Sequence, residues 1–175
     1  MKKLIVALLM VACTLPTFAQ LTKASVVSLA EKCCSLNYSQ ARQHLINAGI
    51  TNIEKIGNVM LASGAKETQT IFKVQYNLYN ESQIDGVVVT TAYKTVSDLM
   101  NAFSKKGYKK LGTSEDPYFI NAVFTSPDYG KGSSYKYVAV VKYRTIDSTD
   151  GSTVVFASIE MVKASVEVQR QMGIR

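Results

Sequence analysis

Histidine is nearly missing from this chain: His44 is the only one in 175 residues. Metal binding by a histidine-glutamate-histidine helix is therefore excluded, and serine-histidine-acid chemistry has no base available but His44. No clustered set of histidines, aspartates and glutamates stands out as a metal site, and no cofactor-binding motif is present. Phosphate-cradling glycine loops are also lacking. Gly57 and Gly64 do not have the spacing, and Gly130 and Gly132 lack the lysine-serine ending such a loop needs. No apolar run approaches the roughly 20 residues of a membrane-crossing helix. The formal net charge is +7, but no nucleic-acid motif accompanies it, so nucleic acid is not an expected partner.

What is present begins with an export signal. Lys2 and Lys3 form a basic head, Leu4 to Ala12 an apolar stretch, and Thr17-Phe18-Ala19 a small-residue cleavage site before Gln20. Residues 1–19 are expected to be removed, leaving 20–175 as a single α+β domain that is periplasmic or secreted. Met10-Val11-Ala12-Cys13 resembles the site at which bacterial lipoproteins are cut and acylated, so an outer-membrane anchor through Cys13 is the alternative. Losing Lys2 and Lys3 lowers the side-chain charge to +5, which favours solubility and weak attraction to anions. Cys33 and Cys34 remain. Neighbours on a helix diverge by about 100°, so the expectation is a buried Cys33 beside an inert or intermolecularly paired Cys34, with a vicinal disulfide or a metal site as the alternatives.

Val26, Leu29, Ala30 and Cys33 make one helical stripe, opposite Lys23, Ser28, Glu31 and Lys32, which read as a face in water. Thr22 is placed to cap that helix. Ser39 is placed to cap a second helix over Ala41, Leu45 and Ala48, ended by Gly49. Thr51 to Glu54 fits a capping box, and Ile53, Ile56 and Met60 then predict a third short helix ending near Gly64, with a strand at Val59 to Ala62 as the competing reading.

The pattern next changes to strands. Phe72, Val74, Tyr76 and Leu78 alternate with polar neighbours, Asn80 to Gln83 turns the chain, and Val87 to Thr91 follows as an antiparallel partner. Val96, Leu99, Met100 and Phe103 then form a full helical stripe behind a Thr95/Asp98 box. Tyr108 to Leu111 and Tyr118 to Thr125 read as strands. The ribbon Ser134 to Lys163 reads as a long hairpin around the loop Ile146 to Ser152, and the tail from Ala164 as a further strand or a frayed helix.

This order predicts an α+β fold: a curved antiparallel β-sheet with helices packed mainly on one face. It resembles the cone-shaped fold named after nuclear transport factor two, which implies helices covering a curved sheet around a small-ligand pocket. The tandem helix-plus-sheet arrangement of secreted β-lactamase inhibitor proteins is similar as well. Tyr38 to Gly49 and Tyr93 to Gly107 share a tyrosine-helix-glycine order without further alignment.

Basic and aromatic residues concentrate between Lys105 and Arg144. Lys105, Lys106, Lys109, Lys110, Lys131, Lys136, Lys142 and Arg144 stand against Glu115, Asp116 and Asp128, with Tyr108, Tyr118, Tyr129, Tyr135, Tyr137 and Tyr143 among them. Rings give stiff contact area and cations steer encounter, so this interval is the expected partner-binding surface for an acidic protein, a glycan or an anionic surface. The bland account makes the tyrosines sheet core and the lysines solvated face. The function expected is a noncatalytic extracytoplasmic binding or cell-envelope accessory protein. The alternative is a pocketed small-ligand-binding protein or weak hydrolase.

Overall fold

Two helices open the described chain. The computed structural model describes residues 23–64, 70–77, 79–80, 82–127, 136–147 and 151–164. Helix α1 (Lys23–Cys34) buries Val26, Val27, Leu29, Ala30, Cys33 and Cys34, a broader apolar face than the four-residue stripe alone requires. Thr22, its expected cap, lies outside the described residues. Helix α2 (Tyr38–Asn47) is capped by Asn37 and not by Ser39. The Asn37 Oδ1 accepts from the Gln40 N–H at 2.9 Å while the Gln40 side chain accepts from the Asn37 N–H. Gly49, at φ 85°, occupies the left-handed position that ends the helix.

The third predicted helix is a hairpin instead. Strand β1 (Asn52–Ile56) pairs antiparallel with β2 (Val59–Ser63) across the two-residue loop Gly57-Asn58. Gly57 sits at φ 58°, the left-handed conformation that a primed hairpin turn demands and a helix interior forbids. Burial alternates from Met60 to Ala62, and Ile56, assigned to the helical stripe, is left exposed. The competing strand reading of Val59 to Ala62 is the one that holds.

Strands β3 (Ile71–Tyr76) and β4 (Ile84–Tyr93) continue the meander, and Phe72, Val74 and Tyr76 face the core as their alternation predicts. Leu78 is outside the described residues. Helix α3 (Val96–Ser104) then crosses over, opened by the expected box: Asp98 N–H donates to Thr95 Oγ1 at 3.1 Å and Thr95 N–H to Asp98 Oδ2 at 3.1 Å. A second meander follows: β5 (Lys109–Glu115), β6 (Ile120–Thr125), β7 (Tyr137–Asp147) and β8 (Thr153–Lys163). The last two form the long hairpin read from the sequence, in register from Tyr137↔Lys163 to Asp147↔Thr153.

Among the described residues, eight strands join one curved, unclosed antiparallel sheet in the order β1-β2-β3-β4-β8-β7-β6-β5, with three helices on one face. The first four-strand meander follows α1 and α2, the second follows α3, and the two meet where β4 pairs with β8. Between helices and sheet the space is filled by large side chains, among them Phe72, Tyr76, Tyr93, Leu45, Leu99, Phe103 and Ile159. Phe103 stacks on Phe124 with centroids 4.3 Å apart and meets Tyr108 edge-on at 5.7 Å, so α3 is tied to the second meander through aromatic contacts. Cys33 and Cys34 are both buried free thiols, and the Cys34 S–H points to the Met161 carbonyl at 3.4 Å. Burial of Cys34 removes the intermolecular pairing that its sequence position left open.

Candidate functional site

Strand alternation sends every second residue to the face opposite the helices. The register aligns these residues in rows across the sheet. One row runs Asn52, Ser63, Ile71, Thr90, Ser158, Lys142, Asn121 and Ser114; the next runs Glu54, Leu61, Lys73, Val88, Glu160, Val140, Val123 and Gly112. No described helix covers this face. Toward one end it closes, since Thr125 and Val138 are fully buried. Toward the other it opens, with Phe156, Ile146 and Ile71 exposed.

At the open end the chain builds a cation-aromatic cluster. Arg144 lies directly across the β7–β8 ladder from Phe156, and its guanidinium stands 5.5 Å from the Phe119 ring centroid. Phe119 is positioned by the turn before β6. The Asp116 Oδ1 accepts the N–H groups of Tyr118 at 2.9 Å and Phe119 at 2.8 Å, and Asp116 Oδ2 accepts from Asn121 Nδ2 at 3.3 Å. Those backbone donors hold the Asp116 carboxyl below its usual pKa. Lys142 stands one row along, across from Asn121 and Ser158, and Arg144 and Lys142 are both exposed. At the β1–β3 edge of the sheet a shallow depression of about 220 Å³ is lined by Asn52, Glu54, Leu61, Ala62, Ser63 and Ile71.

The residues singled out in the sequence separate in space. Lys142 and Arg144 share the uncovered face, and Lys109 joins that face at the β5 edge, opposite Thr125. Lys110, paired with Phe124, turns to the other side. Tyr108, Tyr137 and Tyr143 are buried on the helix side and supply core. Burial raises the pKa of all three phenols. Lys136 and Tyr137 line a polar cleft of about 280 Å³ at the ends of α1 and α3. Tyr129, Lys131 and Tyr135 lie outside the described residues. Phe119 and Phe156 were not singled out, although Phe156 alternates with Val155 and Ala157 in a strand whose register would have placed it beside Arg144.

His44 lies in α2, where partial burial and then the nearby Lys32 charge lower its pKa. Its imidazole makes no hydrogen bond among the described residues. Among the same residues no three histidine, cysteine, aspartate or glutamate side chains converge as metal ligands, and no helix is long and apolar enough to cross a membrane. Comparisons with protein-family models, curated proteins and solved structures find no match for this chain.

Proposed function

We propose that this is a noncatalytic, exported recognition protein that takes an acidic protein partner on the uncovered face of its sheet. The observation that carries the reading is the Arg144, Phe119 and Phe156 cluster with Lys142 beside it. Arginine and aromatic side chains dominate the energetic centres of protein interfaces, because they bury large stiff surfaces and offer directed donors. A curved pleated face carrying exposed Ile146 and Phe156 beside cations suits a protein surface with carboxylates set among apolar groups. Lys73, Lys109, Lys142 and Arg144 against Glu54 and Glu160 give the face a positive balance, which steers an acidic partner toward it.

Reversing Lys142 and Arg144 together is expected to weaken capture of the partner from a cell-envelope extract by about tenfold or more at low salt. Lys110→Glu, on the other side of the sheet, is the matched control and is expected to leave capture unchanged. Undiminished capture by a K142E/R144E variant with an unaltered urea midpoint would remove the electrostatic basis of the proposal. Export rests on Lys2, Lys3, the Leu4 to Ala12 run and the Ala19 site. The purified mature protein is expected to have the mass of residues 20–175, and an acylated N-terminal Cys13 would replace secretion with anchoring.

A further inference from the structure

At 97 % exposure, Tyr79 is the most exposed large apolar side chain among the described residues. It stands in the loop between β3 and β4, and its hydroxyl makes no hydrogen bond among those residues. A ring so placed adds no packing to the fold. Its backbone is nevertheless held from below: Asn77 Oδ1 accepts the Tyr79 N–H at 3.0 Å, and the Asn77 N–H donates to the Gln83 carbonyl at 2.9 Å. The Gln83 N–H donates in turn to the Asn80 carbonyl at 2.9 Å. Asn80 Oδ1 accepts from the Ser82 hydroxyl and from the Ser82 N–H at 3.1 Å.

The neighbouring β1–β2 turn is bonded to the same strand end. Tyr76 N–H donates to the Asn58 carbonyl at 3.0 Å, Asn58 Nδ2 to the Tyr76 carbonyl at 3.2 Å, and the Tyr76 hydroxyl to the Gly57 carbonyl. The two turns therefore make one braced tip, which carries Tyr79 and the exposed Ile56. Glu81 is the single charged residue in the sequence of either turn. The Lys55 ammonium, at the base of the tip, is drawn over the rings of Tyr38 at 5.0 Å and Tyr76 at 5.4 Å.

This tip is remote from the Arg144 cluster. Along β4, Ala92 lies in the row of Phe156, whose partner on β7 is Arg144, while Gly86 lies in the row of Gln75 and Val59. Those rows are about 20 Å apart, and Tyr79 lies beyond the second of them. The two ends also differ in chemistry, since one is cationic and aromatic and the other is built from amides, a hydroxyl and a free phenol ring.

We propose that this tip is a second docking end, and that it takes a folded protein whose surface carries an uncharged cleft able to receive the Tyr79 ring. A ring that projects almost wholly into solvent is covered fully only by a concave partner. Tyrosine supplies stiff amphipathic area at small entropic cost, and the asparagine and serine groups around it adapt to the polar rim of a cleft. Bracing of the loop before binding lowers the ordering cost that association would otherwise carry. A membrane surface fits less well, because Asn58, Asn77, Asn80 and Gln83 flank the ring and their amides are costly to bury in lipid. The site does not depend on the acidic partner of the Arg144 face; with both ends occupied, the molecule bridges two partners of different chemistry.

The test places the photoreactive residue p-benzoylphenylalanine at position 79 of the full chain, in the cells that make it, with position 110 as the control. Illumination is expected to give a protein adduct at 79 and none at 110. The adduct is identified by mass spectrometry, and the identified protein is purified and titrated against the parent and its variants. Tyr79→Ala is expected to weaken binding by about tenfold or more at an unchanged urea midpoint, and Tyr79→Phe to keep most of it, because the ring supplies the contact area. Raising salt from about 0.05 to about 0.5 M is expected to change the affinity by less than about twofold. K142E/R144E is expected to bind this protein like the parent, which separates a failure here from a failure of the acidic-partner reading. The proposal is overturned if position 79 gives no protein adduct, if its adducts are lipid, if Tyr79→Ala binds like the parent, or if K142E/R144E weakens binding as much as Tyr79→Ala.

Discussion

Replacing Phe103 with alanine is expected to lower the unfolding free energy by about 3–5 kcal/mol, read as a fall in urea midpoint at unchanged slope. Phe103 is fully buried, stacks at 4.3 Å on Phe124 of β6 and meets Tyr108 edge-on. The substitution removes a whole ring from a packed layer, and its neighbours are held by strand register, so they cannot collapse into the gap. Position adds to the effect. Helix α3 is the connection between the two meanders, and Phe103 is its aromatic contact with the second of them. A loss below about 1 kcal/mol would mean that the site relaxes freely, contrary to this packing. Partly buried Met100, on the same helix, should give a smaller loss when cut to alanine, because it packs at the edge of that layer.

Alkaline pH should produce the second large effect. Burial pushes the thiols of Cys33 and Cys34 and the phenol of Tyr93 up to about 12, and for Cys34 the neighbouring Cys33 adds to that burial. Burial raises the Tyr108 phenol in the same direction. Each group is neutral when protonated, and each pKa is higher in the folded state than in the unfolded chain. Their stabilising contribution is therefore complete below the unfolded pKa, 9.0 for the thiols and 10.0 for the phenols, and is lost as pH climbs toward the folded values.

Denaturation midpoints should change little from these groups between neutral pH and about 9 and fall steeply above it. Native thiols should also react with a disulfide reagent at pH 8 roughly a thousandfold more slowly than in the unfolded chain, since the reactive thiolate is suppressed. Labelling of both cysteines in the native state at the unfolded rate would show that α1 does not bury them.

Much of this architecture can be read from local pattern. Phe72, Val74 and Tyr76 declare their strand by alternation, and Thr95 with Asp98 marks the start of α3, because both signals depend on residues a few positions apart. The hairpin at Asn52 to Ser63 defeats the same logic. Ile53, Ile56 and Met60 happen to fall at helical spacing, and Thr51 with Glu54 imitates a capping box. Only the left-handed backbone at Gly57 separates the two outcomes, and a glycine in sequence does not state its φ. In α2, Asn37 and Ser39 are both good capping residues, and Gln40 decides for Asn37 by completing the reciprocal bond.

The proposed binding surface is legible by half. Alternation along β7 places Lys142 and Arg144 on the same side and Tyr137 and Tyr143 on the other. Which side is buried depends on where the helices pack, and β7 alone does not carry that information. Phe119 and Phe156 reach Arg144 through a turn held by Asp116 and through the β7–β8 register. The polar face of α1 is visible as a pattern, while the Lys136 that meets it at the cleft comes from some 100 positions away in a fold whose sheet order has no local signature.

The seam between β4 and β8 also sets the order in which the molecule can be completed. Strand β4 finds β3 almost at once, but its other edge waits for the last strand of the sheet. Until then Val87 to Thr91, an uncharged and strongly strand-forming run, presents unpaired backbone groups to any passing chain. Closing the seam requires contact between residues about 70 positions apart, which makes it a slow, late event. A chain cut short before β8 would retain its first meander and expose an adhesive edge along the middle of the intended sheet, so full-length synthesis is itself a safeguard against aggregation.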